Sequence, residues 1–102
     1  MKVSLLPIPL NIDKVADFCK RYHIQKLALF GSVVREDFTS QSDVDVLVEF
    51  ESGKTPGLAI ITMEDELSKI INWSVDLRTP KDLSHYFRNE VMQEAFVIYE
   101  QN

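Results

Sequence analysis

The sequence predicts an α/β (α+β) domain in which short strands alternate with amphipathic helices. Two aliphatic runs end in turn or loop residues, apolar residues recur at helical spacing around them, and a proline ends a third short strand. The 102 residues are enough for one domain with a modest core, predicted over residues 1–102, and too few for a second independent domain.

The first predicted helix follows Asn11, a residue that commonly accepts the N-cap hydrogen bond. Its apolar face consists of Ile12, Val15, Ala16, Cys19 and Tyr22, widened by Phe18. The next segment, 26–30, is aliphatic and ends at Gly31, which is typical of a buried strand that leads into a turn. Ser32 is then predicted to cap a short helix.

The second strand is predicted over residues 43–50, with alternate aliphatic residues on one face at Val44, Val46 and Val48. Residues 51–57 form the clearest loop. Within it, Thr55 and Pro56 are suited to be the N-cap and the first residue of the second helix. The buried stripe of that helix is predicted to be Ile60, Met63, Leu67, Ile70 and Ile71.

The third strand is predicted over residues 73–79, because Pro80 ends it. Apolar residues at helical spacing then predict a last helix through Leu83, Phe87, Val91 and Ala95. Residues 96–99 either prolong this helix or form a short strand.

Composition excludes several classes of function. Apolar residues make up 45% and charged residues 26% of the chain, as in an ordinary globular domain. A net charge of −5 argues against broad binding to nucleic acid and favours a basic partner. The single Cys19 excludes an intramolecular disulfide and a multi-cysteine zinc site, and suits a reducing cytosol. No apolar run is long enough for a membrane span, so we expect a cytoplasmic protein.

Two acids in the second strand carry the main functional signal. Asp43 and Asp45 are two residues apart, so they share one face at a backbone separation of about 6.6 Å. Like charges placed so close repel each other unless a cation neutralises them. Magnesium prefers carboxylate oxygens together with substrate phosphates and water, so we expect these residues to bind Mg²⁺.

A third acid lies in the third strand. Asp76 alternates with Val75 and Leu77, so it projects opposite the aliphatic side chains. If the second and third strands are neighbours, three carboxylates meet, and two divalent ions about 3.5–4 Å apart can then assist an in-line phosphoryl displacement. Asp76 would be placed to take the proton of the nucleophile. Arg78 beside it is expected to form a local ion pair.

The turn at Gly31 and Ser32 offers a phosphate site. Glycine lets a phosphate approach the backbone, and the first N–H groups of the following helix supply donors. Arg35, one turn into that helix, would stabilise charge on a leaving pyrophosphate. Each signal alone is weak, since a Gly-Ser pair is often only a turn and Arg35 suits a surface salt bridge nearly as well. Their order and spacing together favour a nucleotide site.

The Gly31-Ser32 pair, ten further residues, Asp43-Val-Asp45 and the later Asp76 resemble the signature of the DNA polymerase beta nucleotidyltransferase superfamily. The chain is similar throughout to its smallest branch, the minimal nucleotidyltransferase (MNT) domain. The resemblance implies a short mixed sheet with flanking helices. It also implies that Gly31 and Ser32 hold nucleotide phosphate and that the three acids bind metal and catalyse. Many relatives resemble Gly-Ser-x-x-Arg-Gly, whereas Glu36 follows Arg35 here.

The same resemblance implies a reaction and a partner. Such domains are often encoded beside a HEPN-domain ribonuclease toxin, and some act as antitoxins by transferring AMP from ATP to a tyrosine of that toxin. We therefore expect a magnesium-dependent adenylyltransferase in a complex with such a toxin. The alternative is an inactive antitoxin that neutralises its partner by binding alone. A small-molecule acceptor is a third possibility, disfavoured because the chain has no second domain to hold it.

Overall fold

A computed structural model of the chain describes residues 6–101; positions 1–5 and 102 of the predicted domain lie outside the described residues. The α-helices of this part are α1 (Ile12–Arg21), α2 (Ile60–Ile71) and α3 (Arg88–Glu94). The strands are β1 (Ile24–Phe30), β2 (Val44–Phe50), β3 (Val75–Arg78) and β4 (Phe96–Glu100). The alternative left open for residues 96–99 is therefore decided in favour of a strand.

The four strands form one mixed sheet in the order β3-β2-β1-β4. The β1 strand pairs antiparallel with both β2 and β4, whereas β2 and β3 run parallel and are joined through α2. The expected α/β class, with a short mixed sheet and flanking helices, is confirmed. The parallel pair matters most for function, because it brings the two acid-bearing strands side by side.

Apolar clusters cover both faces of the sheet. The main core lies on the face that β2 lines with Val44, Val46 and Val48, and the helices α1 and α2 contribute Val15, Phe18, Cys19, Met63, Leu67 and Ile71. Burial there raises the pKa of the Cys19 thiol to about 12, so the thiol stays protonated at neutral pH. The opposite face holds a smaller cluster of Ala28, Phe30, Leu47, Leu83 and Val91. Asp45 projects on this second face, which we call the site face.

The first helix begins as the sequence predicts. Asn11 accepts a hydrogen bond from the backbone N–H of Lys14 at 3.2 Å, so the N-cap is confirmed. At the other end of the helix, Arg21 contacts Glu66 of α2, and the Tyr22 hydroxyl donates to the same carboxylate at 2.7 Å. These contacts join α1 to α2 on the face of the sheet opposite the site face.

Two predicted helix starts are wrong. The second helix begins at Ile60 rather than at Pro56, because Gly57 adopts a positive φ of 63° and a separate 3-10 turn at Gly57–Ala59 comes first. The last helix begins at Arg88 rather than near Leu83. Leu83 is extended there because it ends a 3-10 turn at Pro80–Asp82.

Strand ends also differ from the prediction by a few residues. The third strand is Val75–Arg78, shorter than predicted, because Asn72 in the left-handed region ends α2 just before it. Side chains of α2 cover the free edge of β3: Ser68 Oγ accepts from the N–H of Val75 at 3.1 Å, and Glu64 accepts from Leu77 at 2.8 Å. Within residues 6–101, no helix combines the length and apolar character needed to cross a membrane.

Candidate active site

The turn after β1 is tighter than the sequence predicts. Gly31 has a φ of 73° and opens a 3-10 helix at Gly31–Val34 that follows the strand without a break. Ser32 lies inside this helix, so its predicted role as an N-cap is wrong. Phe30 takes the cap position and makes no side-chain cap bond. Phosphate donors at this turn would be the N–H groups of a single 3-10 turn rather than of an α-helix.

Gly31 lies directly against Asp45. In the antiparallel β1–β2 pair, Phe30 is opposite Asp45, which places this carboxylate over the turn. A Cβ atom built on Gly31 would stand only 2.3 Å from Asp45 Oδ2, far inside van der Waals contact. Position 31 therefore needs glycine for two reasons, namely the positive φ and the adjacent carboxylate.

Asp45 and Asp76 are directly opposite each other in the parallel β2–β3 pair. The condition that the sequence analysis left open, namely that the two acid-bearing strands are neighbours, is therefore met. Both residues are partly exposed on the site face, whereas Val44 and Val75 next to them are buried. The backbone thus presents two carboxylates to one region of the surface.

Asp43 lies one residue before β2 begins, so the prediction that it belongs to the strand is wrong by one position. Two hydrogen bonds fix the chain on either side of it. The indole N–H of Trp73 donates to the carbonyl of Ser42 at 2.8 Å, and the N–H of Val44 donates to Ser74 at 2.8 Å. The sequence analysis placed position 73 only at the start of the predicted third strand and gave the Trp73 side chain no role. A half-buried tryptophan needs an acceptor for its N–H, and this signal could have indicated the contact.

The acids of the site face affect one another. The pKa of Asp45 is raised first by desolvation and then by the negative charges of Asp76 and Asp43. The positive charges of Arg78 and Arg35 offset part of this rise. The site therefore holds more negative charge than the protein itself neutralises, and a cation is the natural counter-charge.

Arg78 makes the local ion pair that the sequence predicted. Its Nε and Nη2 atoms donate to Oδ1 and Oδ2 of Asp76 at 3.0 and 3.2 Å. Arg78 follows Asp76 by two residues, so both project from the same face of β3. The guanidinium therefore engages both oxygens of the third acid.

The donor chemistry of the three acids fits a magnesium ion, which takes carboxylate oxygens. The positions of these side chains in the structure do not yet form a metal site. Among residues 6–101, no group of three or more His, Cys, Asp or Glu side chains is placed to hold a metal ion. Asp76 would have to exchange the Arg78 guanidinium for the ion in order to join Asp43 and Asp45.

Arg35 does not lie one turn into a helix, as the sequence analysis expected. It ends the 3-10 helix in an extended conformation and pairs with Asp37 at 3.7 Å. It nevertheless lines a cavity of about 310 Å³ that it shares with Gly31, Asp45 and Phe87. The arginine is thus at the edge of the site, on the side where Gly31 and Asp45 meet.

The raised pKa of Asp45 predicts how stability changes with pH. When a carboxyl pKa is higher in the folded state, folding favours the protonated form, and stability falls as pH rises through that pKa. Asp45→Asn removes the charge, so we expect it to raise the melting temperature at pH 7 and to have a smaller effect near pH 4. Thermal melts at both pH values check this. The exposed Asp65→Asn on α2 serves as the control, and an equal gain in that variant would contradict the explanation.

The nucleotidyltransferase domain family matches residues 12–98 of the chain. The chain belongs to this family. Among its relatives is the protein adenylyltransferase MntA of Thermococcus cleftensis, which is 33% identical over 80 residues, 78% of this chain and 79% of that protein. The match to the family spans β1, β2 and β3, the first part of β4 and all three acids.

Solved structures of similar fold include toxin–antitoxin complexes. One complex, with AMP-PNP, contains a chain with a TM-score of 0.72 and 20% identity, covering 91% of this chain and 76% of that one. Another is a tri-AMPylated HEPN toxin of Shewanella oneidensis bound to an MNT antitoxin, with a TM-score of 0.63 and 17% identity over 88% and 70% of the two chains. At these identities the likeness establishes the nucleotidyltransferase fold.

Proposed function

We propose that this nucleotidyltransferase domain transfers AMP from ATP to a tyrosine hydroxyl of a partner protein in the cytoplasm, with Mg²⁺ as its cofactor. The proposed partner is a HEPN-type toxin, which the modification would neutralise. Family membership supports the reaction class, and the relative named protein adenylyltransferase supports a protein acceptor.

The observation that carries the proposal is the pairing of Asp45 with Asp76 across β2 and β3, beside the glycine turn at Gly31. A nucleotidyl transfer needs a place for the triphosphate next to carboxylates that can manage the charge and the proton of the reaction. The turn and the two paired acids supply these in one place.

The proposed chemistry uses three parts of the site. The tyrosine oxygen attacks the α-phosphorus of ATP, the bond to pyrophosphate breaks, and Asp76 accepts the hydroxyl proton. Gly31 and Ser32 bind phosphate, and Arg35 stabilises charge on the departing pyrophosphate. Bound by Asp43, Asp45 and Asp76, Mg²⁺ would supply a positive charge that polarises the α-phosphate.

A protein acceptor suits the surface around the site. Phe87 lines the cavity beside Asp45 and is 47% exposed, and the neighbouring Tyr86 is 87% exposed. Glu90 and Glu94 line the same cavity, and the chain carries a net charge of −5. Exposed aromatic side chains beside acids are suited to a partner with apolar and basic residues, which would form a hetero-oligomer.

Neutralisation by binding alone is the second candidate function. One observation favours it, because Asp76 is engaged by Arg78 and no three-acid metal group is assembled among the described residues. The experiment that separates the two uses labelled ATP, Mg²⁺ and a purified HEPN-type partner protein. A covalent gain of AMP on a tyrosine, identified by mass spectrometry, supports the enzyme. Full neutralisation without any mass gain supports the binding module.

Metal and nucleotide should stabilise the protein together. We expect Mg²⁺ with ATP to raise the melting temperature more than either alone. The metal ion would neutralise the carboxylates and the ATP phosphates at the same time, so each ligand would bind more tightly in the presence of the other. Omitting the metal should remove most of the shift. The Asp43→Asn/Asp45→Asn double variant should fold, because it loses clustered negative charge, and it should lose the shift. Equal shifts in the double variant and the wild type would refute the assigned site.

A further inference from the structure

Arg78 forms a direct ion pair with one of the proposed catalytic acids, Asp76. Its guanidinium meets Asp76 in a bidentate arrangement, with donor–acceptor distances of 3.0 and 3.2 Å. The two side chains are 48% and 37% exposed, so the pair is accessible to solvent and to ions. Bidentate arginine–carboxylate pairs are geometrically specific, since two parallel N–H groups match two oxygens.

This ion pair has a direct consequence for metal binding. The two oxygens of Asp76 are those that a metal ion would need, and both accept hydrogen bonds from Arg78. Asp45 lies directly opposite Asp76 in the β2–β3 pair, so the positive charge of Arg78 lies close to this second acid as well. A divalent cation approaching the acids therefore meets one carboxylate already engaged and a positive charge close to another.

We propose that Arg78 is a positioning residue. It holds the carboxylate of Asp76 away from the metal site until a metal-bound nucleotide displaces the Arg78 guanidinium from Asp76. This inference rests on the proposed function. A metal alone must compete with the guanidinium for Asp76, whereas a metal–nucleotide complex gains further contacts at the Gly31 turn that offset this competition.

The test measures binding of Mn²⁺, as a probe of the magnesium site, to the nucleotide-free protein by electron paramagnetic resonance. Arg78→Gln removes the competitor, so we expect Mn²⁺ to bind roughly two- to fivefold more tightly, the range expected for a partly exposed ion pair. Arg78→Lys keeps the charge but loses the two-pronged geometry, and should give a smaller gain.

Arg21→Gln is the matched control. Arg21 is likewise a half-exposed arginine held in ion pairs, here with Asp17 and Glu66, but it joins α1 to α2 on the other side of the sheet. Its loss should leave Mn²⁺ affinity unchanged. A gain in Mn²⁺ affinity that is larger in Arg78→Gln than in Arg78→Lys and absent in Arg21→Gln supports the proposal.

Unchanged or weaker Mn²⁺ binding in Arg78→Gln overturns it, and a concurrent loss of ATP-analogue affinity would make Arg78 a phosphate ligand instead. Failure of the proposed function itself has a different result. In that case the Asp43→Asn/Asp45→Asn protein would bind Mn²⁺ as the wild type does, whatever stands at position 78.

Discussion

Asp76→Asn is expected to abolish AMP transfer while leaving association with the partner intact. Asparagine has nearly the same shape but accepts no proton at neutral pH and is a poor ligand for Mg²⁺. Loss of a general base alone typically costs about 10²–10⁴-fold in rate, and loss of a metal ligand adds to this. The measurement is the rate of label transfer from ATP to the partner, together with the affinity of the two proteins by calorimetry.

A good control for this variant is Glu49→Gln. Glu49 lies on β2 and, four residues after Asp45, projects from the same face of the strand. It lines a separate cavity beyond the site, with Thr79 and Lys81. Transfer should therefore continue at close to the wild-type rate in this variant. An Asp76→Asn enzyme that transfers AMP as fast as Glu49→Gln would exclude Asp76 from the chemistry.

Gly31→Ala is expected to reduce both stability and activity strongly. Alanine in the left-handed region costs about 1–2 kcal/mol by itself. The new methyl group would also collide with the carboxylate of Asp45, so the end of this side chain must turn or shift, which adds a smaller cost and changes its orientation in the site. Relief of the collision must move either the turn or the acid, so transfer should fall with stability. Urea unfolding and the transfer assay measure the two effects.

Gly53 provides a control with the same backbone geometry. Its φ is 76°, close to the 73° of Gly31, but a Cβ atom there would meet nothing within 4 Å. Gly53→Ala should therefore show only the backbone cost and keep its activity. In addition, Asp45→Ala removes the colliding carboxylate, so the cost of Gly31→Ala should be smaller in that background. Equal losses of stability in Gly31→Ala and Gly53→Ala would mean that the contact with Asp45 contributes nothing to the free energy of unfolding.

Short-range patterns predicted the strand faces of two of the three acids correctly. Alternation along the strands assigned Asp45 and Asp76 to the face opposite the aliphatic residues, and this assignment depends only on the period of two in a β-strand. The cap at Asn11 and the ion pair of Asp76 with Arg78 were predicted for a similar reason, because each joins residues three or fewer positions apart. The roles of these residues in catalysis stay predictions until the variants are tested.

Patterns failed where a competing local conformation decided the outcome. Ser32, Pro56 and Leu83 all have neighbours typical of helix starts, yet each lies in or beside a 3-10 turn. At two of the three sites a glycine with positive φ changes the direction of the chain, and such a φ cannot be inferred from hydropathy. The prediction that Arg35 lies one turn into a helix was wrong for the same reason as the prediction that Ser32 caps that helix, because the segment is a short 3-10 helix that ends at Val34.

The sequence by itself determined which face of its strand Asp45 and Asp76 each occupy, because this follows from a period of two. Their part in the chemistry stays a prediction. Only the tertiary structure decided that β2 and β3 are neighbours in a register that sets Asp45 opposite Asp76. It also decided that the Asp45 carboxylate lies against Gly31 and that Trp73 holds the residue before Asp43. Strand order and register depend on the packing of the whole core, and some of the contacts named above join residues more than 25 positions apart in the chain. No local pattern encodes such contacts.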